Sequence, residues 1–424
     1  RHPDGYRVHT KGALDQLLKF AMNTLVDGKV VPLTPAMKET YLKVAEEMSN
    51  AALRVLGVAF KDTAQPIGPA EMEQELTIIG LVGMIDPPRL EVRDSILTAK
   101  LAGITPVMIT GDHKNTAVAI AKELGIASSI EQSLTGDEID ELSDEEFSRR
   151  IGDYRVFARV SPEHKVKIVK AFKAQGNIVS MTGDGVNDAP SLKFADIGVA
   201  MGITGTDVSK GASDMILTDD NFTTIVRAIE EGRNIYNNIK QSVLFLLSCN
   251  LGEVVAIFAS ILFYWPVPLL PTQILWINLV TDTFPAIALG IDPGDKDVMK
   301  EKPRNPQESF FAGGAGIRAL VGGTLIGLLT LAAFYCGLYE HGFSMGDQEI
   351  PDNVLTYART MAFVVLAASQ LFYSMSMRSA TKSIFQVGLF SNKPLLGAIV
   401  AGFVLQLGVI SIPFLSSAFK VQNL

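Results

Sequence analysis

Beyond Gln241 the chain changes character. Residues 241–263, 268–291, 316–338, 357–377 and 394–416 form apolar blocks, each close to the roughly 20 residues a helix needs to cross a bilayer. Up to residue 240, charged side chains occur throughout. Such a chain must fold against two solvents, so the sequence predicts a water-exposed half and a membrane half. Charged residues make up 19% of the 424 residues, below the soluble average of about 25%, and the second half accounts for the shortfall. The length predicts two or three domains. A net charge of −8, with no basic patch interleaved with aromatics, excludes nucleic acid as a partner. Cys249 and Cys336 both lie in apolar blocks; free, buried thiols are expected rather than a disulfide framework. The opening Arg1-His2-Pro3-Asp4-Gly5 has no signal-peptide pattern and reads as the continuation of something longer.

In the first half, 6–10 and 75–86 read as strands and 36–55 has helical periodicity. Pro87-Pro88 predicts a stiff joint. Regular alternation follows: a helix at 90–102, strand TPVMIT ending at Thr110, a helix at 114–124, strand VFARV at 156–160, a helix from Pro162, strand NIVSM at 177–181, then DIGVAM and DMILT. Alternation of this kind predicts one parallel sheet with helices on both faces. The acidic insert 126–155 is expected to be helical, with no strand before its Thr135-Gly136-Asp137, which reads as a helix cap.

Ligands of such sheets bind beyond the carboxyl ends of the strands. Two polar loops stand there: Thr110-Gly111-Asp112 and Thr182-Gly183-Asp184-Gly185-Val186-Asn187-Asp188. Glycine lets backbone approach a phosphate. Asp184 and Asp188 offer the hard oxygens that suit Mg2+. Asn187 can hydrogen-bond a phosphoryl oxygen or a metal-bound water. Thr110 brings a hydroxyl, Gly111 a backbone N–H, and Lys165 a charge to neutralise a phosphoryl group. These are the parts of phosphoryl transfer: positioning, a metal and positive charge. A lone Asp-Gly is usually a plain turn; the nine-residue string after a strand is far more specific.

The strings KGALD, DPPR, MITGD, FARVSPEHK and MTGDGVNDAP, in this order, resemble the P-type ATPases, within the haloacid-dehalogenase-like group of phosphotransferases. The resemblance extends over essentially the whole chain. It implies a multidomain α/β protein with an α-helical membrane part: a haloacid-dehalogenase-like Rossmannoid parallel sheet, part of a nucleotide-binding domain and a transmembrane helix bundle. Residues 1–86 would be the C-terminal part of the nucleotide-binding domain, 87–220 the phosphorylation domain, 221–240 a stalk and 241–424 the membrane domain with about five helices. Thr110 and Lys165 would contact the phosphoryl group and Asp184 would hold Mg2+. Asn187 and Asp188 would support phosphate and water, and Gly111, Asp112 and Arg159 fall in the matching strings beside them. Lys11 and Arg54 would contact ATP, although Leu14 stands where the family has proline. The family's phosphorylated aspartate sits in an Asp-Lys-Thr-Gly-Thr string, which does not occur here. The expected partner is therefore an upstream half with that acceptor, the actuator domain and four membrane helices; these residues alone are not expected to pump.

The membrane half has its own polar logic. Asn250 and Glu253 lie three apart on the first span; Asn278, Thr281 and Asp282 fall within little more than a turn of the second. Those spacings gather oxygens on one helix face, a donor set that Ca2+ accepts. Ionisable groups inside a membrane are functional by default. Pro285 is expected to help break the helix and free carbonyls. The loops 292–315 (Lys296, Lys300, Lys302, Arg304) and 378–393 (Arg378, Lys382, Lys393) are basic and 339–354 is not, which predicts the first two on the cytoplasmic side and, with five spans, an outside C-terminus unless a further helix follows Leu424.

The strings NLGEVVAIF and LWINLVTDTFPAIALG resemble the sarcoplasmic-reticulum type of calcium pump. Residue by residue the resemblance assigns Asn250, Glu253, Asn278, Thr281 and Asp282 to Ca2+, and Gln370 stands, as a weaker ligand, where that type has a glutamate. It implies ATP-driven export of Ca2+ from the cytosol through an aspartyl phosphate, by a multi-pass protein of a bacterial plasma membrane rather than an intracellular store. The alternatives are a pump for Mn2+ or Na+/K+, or a non-catalytic nucleotide- and ion-binding membrane module.

Overall fold

The computed structural model describes residues 5–51, 53–84, 89–295, 297–347 and 349–424. Its contacts divide the chain into two compact units, Arg1–Arg227 and Ala228–Leu424. The joint predicted at Pro87-Pro88 and the loop residue Lys296 lie outside the described residues.

The first unit opens with β1 (Tyr6–Gly12), α1 (Leu14–Phe20), β2 (Ala21–Val26), β3 (Lys29–Pro32), α2 (Pro35–Asn50), β4 (Arg54–Thr63) and β5 (Leu76–Met84). The strands make a five-stranded sheet in the order β1-β4-β5-β2-β3, closed over Leu14, Leu17, Leu18, Ala59, Leu76 and Ile78. Leu14, in the proline position, starts α1 and is buried. The helix expected over 36–55 ends at Asn50. Residues from Arg54 instead pair on both sides, with β1 and with β5, because Val-Leu-Gly-Val-Ala-Phe suits a two-sided strand better than a helix end.

Next come α3 (Leu90–Leu101), β6 (Met108–Ile109), α4 (Lys114–Glu123), β7 (Ser133–Thr135), α5 (Gly136–Asp140), α6 (Asp144–Arg150), β8 (Val156–Ala158), α7 (Pro162–Ala174), β9 (Ser180–Gly183), α8 (Ala189–Phe194), β10 (Ile197–Met201) and β11 (Met215–Leu217). All ladders here are parallel, as expected. The single expected sheet is instead two three-stranded sheets, β7-β8-β6 and β9-β10-β11. Among the described residues β6 and β9 pair on one side only. Side chains still connect them: Ile109 packs against the Phe147–Phe157 core and against Val169, Met181 and Leu192. The insert also differs from expectation, since β7 precedes its Thr-Gly-Asp and pairs with β8. Thr135 nonetheless caps α5 in a capping box with Glu138.

Helix α9 (Phe222–Leu262) runs 41 residues without a break, about 60 Å at 1.5 Å per residue, so the predicted stalk and first span are one element. The rest of the second unit comprises α10 (Pro271–Trp276), α11 (Thr283–Gly290), α12 (Ala315–Tyr339), α13 (Asp352–Ser376), α14 (Lys393–Ser411) and α15 (Pro413–Phe419). Among the described residues four helices, α9, α12, α13 and α14, are long and apolar enough to cross a membrane. The fifth expected span, 268–291, is helical from Pro271 to Gly290 but carries a π-helical turn at Ile277–Thr281 between α10 and α11, with right-handed helical backbone at Ile277 and Asp282. Pro285 lies within α11 and has no N–H to offer the Thr281 carbonyl four residues back; the π turn is on its N-terminal side.

The inner faces pack Ile326, Phe334, Phe363 and Leu366. Backbones approach closely where α9 meets α12: a Cβ on Gly327 would stand 2.7 Å from the Gly252 carbonyl oxygen, the small-residue contact that helices use in lipid. Outer faces expose Val254, Phe258, Ile317, Val321 and Val404, an apolar exterior that requires an apolar surround. Cys249 is buried as expected, but Cys336 is exposed, because its side of α12 turns outward.

Candidate functional site

Three sets of the anticipated residues are placed by different elements. On the five-stranded sheet, Lys11 pairs with Val58 across β1 and β4. Arg54 lies four residues from Val58, so the period of two puts Lys11 and Arg54 on one face. Both are exposed. The same face carries Arg7, whose guanidinium lies 4.4 Å from the Phe60 ring centre and 2.6 Å from Asp62.

The second set gathers at the carboxyl ends of β6 and β9. Helix α7 begins with Ser161 as its cap and Pro162 in its first turn, which brings Lys165 in one turn later. Its ammonium donates to Asp188 Oδ1 at 2.6 Å. The other Asp188 oxygen accepts the Gly185 N–H at 3.0 Å and the Asp184 N–H at 3.3 Å. Burial pushes the Asp188 carboxyl up, but Lys165 and these N–H groups outweigh it and hold the group below its usual range. Glycine is required at 183, where a Cβ would stand 2.5 Å from Asp188 Cβ. The Asp184 backbone is pinned by its carbonyl, which accepts from Thr206 N and Ser209 Oγ. Its side chain and that of Asn187 are exposed.

At the end of β6, the Thr110 hydroxyl donates to Asp112 Oδ2 at 3.0 Å and accepts the Asp112 N–H at 3.1 Å. The Arg159 N–H, on a left-handed residue with φ 49, donates to the Asp112 carbonyl. His113 caps α4 by accepting the Asn115 N–H; burial first, then Arg159, push its pKa down, which favours the uncharged ring. No hydrogen bond among the described residues links the Thr110–Asp112 pair to the Lys165–Asp188 pair. Ile109, which packs against Val169 of α7 and Met181 of β9, sets the two loops at one end of the strands.

The third set is in the second unit. Asn278 Nδ2 donates to Glu253 Oε2 at 2.9 Å. Glu253, Thr281, Asp282 and Gln370 are buried. Glu253 Oε1, both Asp282 carboxylate oxygens and both amide atoms of Gln370 are enclosed without a hydrogen-bond partner. Buried polar groups are normally satisfied, and these are not; among the described residues no group of three or more His, Cys, Asp or Glu side chains stands together as a metal site. The π turn carries part of this set: Asn278 and Thr281 lie within the turn, and the Asp282 N–H reaches back to the Ile277 carbonyl, five residues away. Asn250, three residues before Glu253 on α9, is exposed.

Two features escaped the sequence reading. Cys249 is a fully buried free thiol, 0% exposed, one turn before Glu253 on α9; its signal was the i,i+4 spacing to Glu253. Arg378, counted only as a loop cation, is buried, donating to both Asp292 oxygens at 2.7 and 3.1 Å. Asn392 donates to Asp292 at 2.7 Å and to the Ala288 carbonyl at 2.9 Å. This network ties the ends of α11, α13 and α14.

A helical bundle enclosing unpartnered carboxylates, in one chain with an α/β unit whose lysine–aspartate loops end parallel strands, fits the resemblance to the P-type ATPases. Two family profiles agree: "P-type ATPase, cytoplasmic domain N" matches residues 1–91, and "Cation transporting ATPase, C-terminus" matches residues 266–424. The chain is 56% identical over 429 residues to "Calcium-transporting ATPase 1" of Bacillus cereus, covering 100% of this chain and 48% of that protein. It is 46% identical over 412 residues to the "Calcium-transporting ATPase" of Bacillus subtilis, covering 97% and 45%. It is 43% identical over 415 residues to "Calcium-transporting ATPase type 2C member 1" of Bos taurus, covering 98% and 41%. This membrane protein belongs to the P-type cation-transporting ATPases. It spans about half the length of the curated relatives it matches.

Proposed function

We propose that the protein to which this chain contributes moves Ca2+ out of the cytosol, across a bacterial plasma membrane, by hydrolysing ATP through an aspartyl phosphate. The observation that carries this reading is the set of unpartnered, buried oxygens on Glu253, Asp282 and Gln370. Two carboxylates and neutral oxygens make a hard-cation site, and Ca2+ is the ion named for the relatives. Asn278 and Thr281 would add oxygens, and Asn250, exposed in this chain, would contribute from the rim.

In the soluble unit, Lys11 and Arg54 would hold the nucleotide. Lys165 and the Thr110 hydroxyl would bind the transferred phosphoryl group, with Gly111, Asp112, Arg159 and Asn187 shaping the loops around it. Asp184 suits Mg2+, because its carboxylate is exposed while Asp188 is consumed by Lys165. When bound, the metal supplies charge neutralisation at the phosphoryl oxygens. The residues of this chain would position that group, with Lys165 ion-paired to Asp188 beside it.

The acceptor aspartate would come from the upstream half, whose existence the greater length of the relatives supports. A strand from it, laid between the free edges of β6 and β9, would join the two three-stranded sheets into the one sheet expected from the sequence. The test is ATPase activity of the two halves together against free Ca2+, Mn2+ and Na+. Ca2+ stimulation that disappears in Glu253→Gln and Asp282→Asn is the expected result. Stimulation by Na+ alone, or stimulation that survives both substitutions, would sink the calcium reading.

A further inference from the structure

We infer that the short helix α5 positions the phosphoryl-binding lysine: Asp140, acting through His164, sets where Lys165 stands. The inference rests on reading Lys165 as the cation that meets the transferred phosphoryl group. His164 is the third residue of α7 and is held from three directions. Its backbone N–H donates to Ser161 Oγ at 3.3 Å, its Nδ1 accepts the Ser161 N–H at 3.1 Å, and its Nε2 stands 2.9 Å from Asp140 Oδ1. A backbone N–H can only donate, so Nδ1 is an acceptor and the ring proton sits on Nε2, where it donates to the Asp140 carboxylate. Helix α5 also comes close to the ring itself. A Cβ on Gly136 would stand 2.8 Å from His164 Nδ1 and 2.7 Å from the Arg159 carbonyl oxygen.

The next residue is Lys165. Its N–H makes the first intrahelical bond of α7, to the Ser161 carbonyl at 3.2 Å, and its ammonium donates to Asp188 Oδ1. The turn that His164 locks is therefore the turn that carries the lysine. A capping box ordinarily has Glu or Gln at this place, and such a side chain uses its whole reach on the cap. Imidazole has a second nitrogen, and here that atom bonds a different element. That element is itself anchored: Glu138 accepts the Thr135 N–H at 2.7 Å and takes the Lys114 ammonium on both oxygens at 2.8 Å. Lys114 opens α4, directly after Thr110-Gly111-Asp112-His113. Helix α5 thus reaches both phosphoryl-binding loops while belonging to neither, and Asp140 and His164 are positioning residues.

The experiment uses the whole protein, upstream half included, and orthovanadate, an oxyanion shaped like phosphate, as the probe. Its affinity is measured by titration calorimetry for the unaltered protein, Asp140→Ala, Asp140→Asn, His164→Gln, Lys165→Ala, and Asp140→Ala combined with each of the last two. The coupling cannot exceed the worth of the hydrogen bond that carries it, so Asp140→Ala should weaken orthovanadate binding about fivefold. Asp140→Asn keeps an acceptor for the Nε2–H and should bind like the unaltered protein. His164→Gln keeps the cap and loses the bond to Asp140, so it should match Asp140→Ala, and the two together should be no worse than either. Added to Lys165→Ala, Asp140→Ala should cost nothing further; a merely structural role would persist there. ATP affinity, which Lys11 and Arg54 would supply, should hold throughout. Unchanged orthovanadate affinity in Asp140→Ala, or a loss that persists in full beside Lys165→Ala, would overturn the inference. Loss in Lys165→Ala with none in Asp140→Ala sinks the inference alone and leaves the phosphoryl site standing. No loss in Lys165→Ala removes the phosphoryl reading and the inference with it.

Discussion

At Asp188 three donors converge on one carboxylate: the Lys165 ammonium and the N–H groups of Asp184 and Gly185. Truncating Lys165 to alanine leaves that charge without its counter-ion, and thermal melts should show a loss of about 1–3 kcal/mol. The pH dependence follows from the depressed pKa of Asp188. Its stabilisation is complete above the ordinary carboxylate value, about 4, and is lost as pH falls through the lower folded value. Melting Asp188→Asn beside the unaltered protein should therefore give a difference that is largest near neutrality and shrinks on acidification. The residues of this loop were legible because their neighbours are in sequence: Gly183, Asp184 and Asp188 interact within one string. Arg378 was not, since its meaning comes from Asp292, which is 86 positions away in the chain.

Among elements, the Asp292–Arg378–Asn392 network binds three helix ends through one buried ion pair. The guanidinium and carboxylate are both nearly enclosed, with side chains 2% and 5% exposed. Removing one partner strands the other, so Arg378→Ala should lower stability by about 3–5 kcal/mol. Calorimetry in detergent measures it, and Asp292→Ala added to Arg378→Ala should cost far less than the sum of the two. The long helices were legible from hydrophobic length alone, and α9, α12, α13 and α14 appear close to their predicted bounds. Short elements were harder. β6 has two residues and β7 three, too few for a period to register. The Asp27-Gly28 turn, with both residues at positive φ, closes the β2–β3 hairpin and is a strong local signal that the sequence reading passed over.

For the molecule as a whole, the division between a charged half and an apolar half was the most reliable guide, because solvent acts on every residue. The single parallel sheet was an expectation that failed at this scale. Strand direction and order follow from alternation, but closure into one sheet needs a partner between β6 and β9 that no local pattern reveals. Amide hydrogen exchange measures that edge directly. In the presence of the upstream half, the amides of 108–110 and 180–183 should become more protected than in this chain alone; equal exchange in both would mean that nothing pairs there.

The π-helical turn before Asp282 carries a mechanical consequence. Such a turn holds one residue more than its regular counterpart, and each residue of an α-helix sweeps about 100° around the axis. Were Ile277–Thr281 to anneal into ordinary helix, the Asp282 carboxylate would swing by roughly that angle relative to α10. An aspartate mounted on this joint is set like a tumbler in a lock: one step of backbone register separates facing Glu253 from facing away.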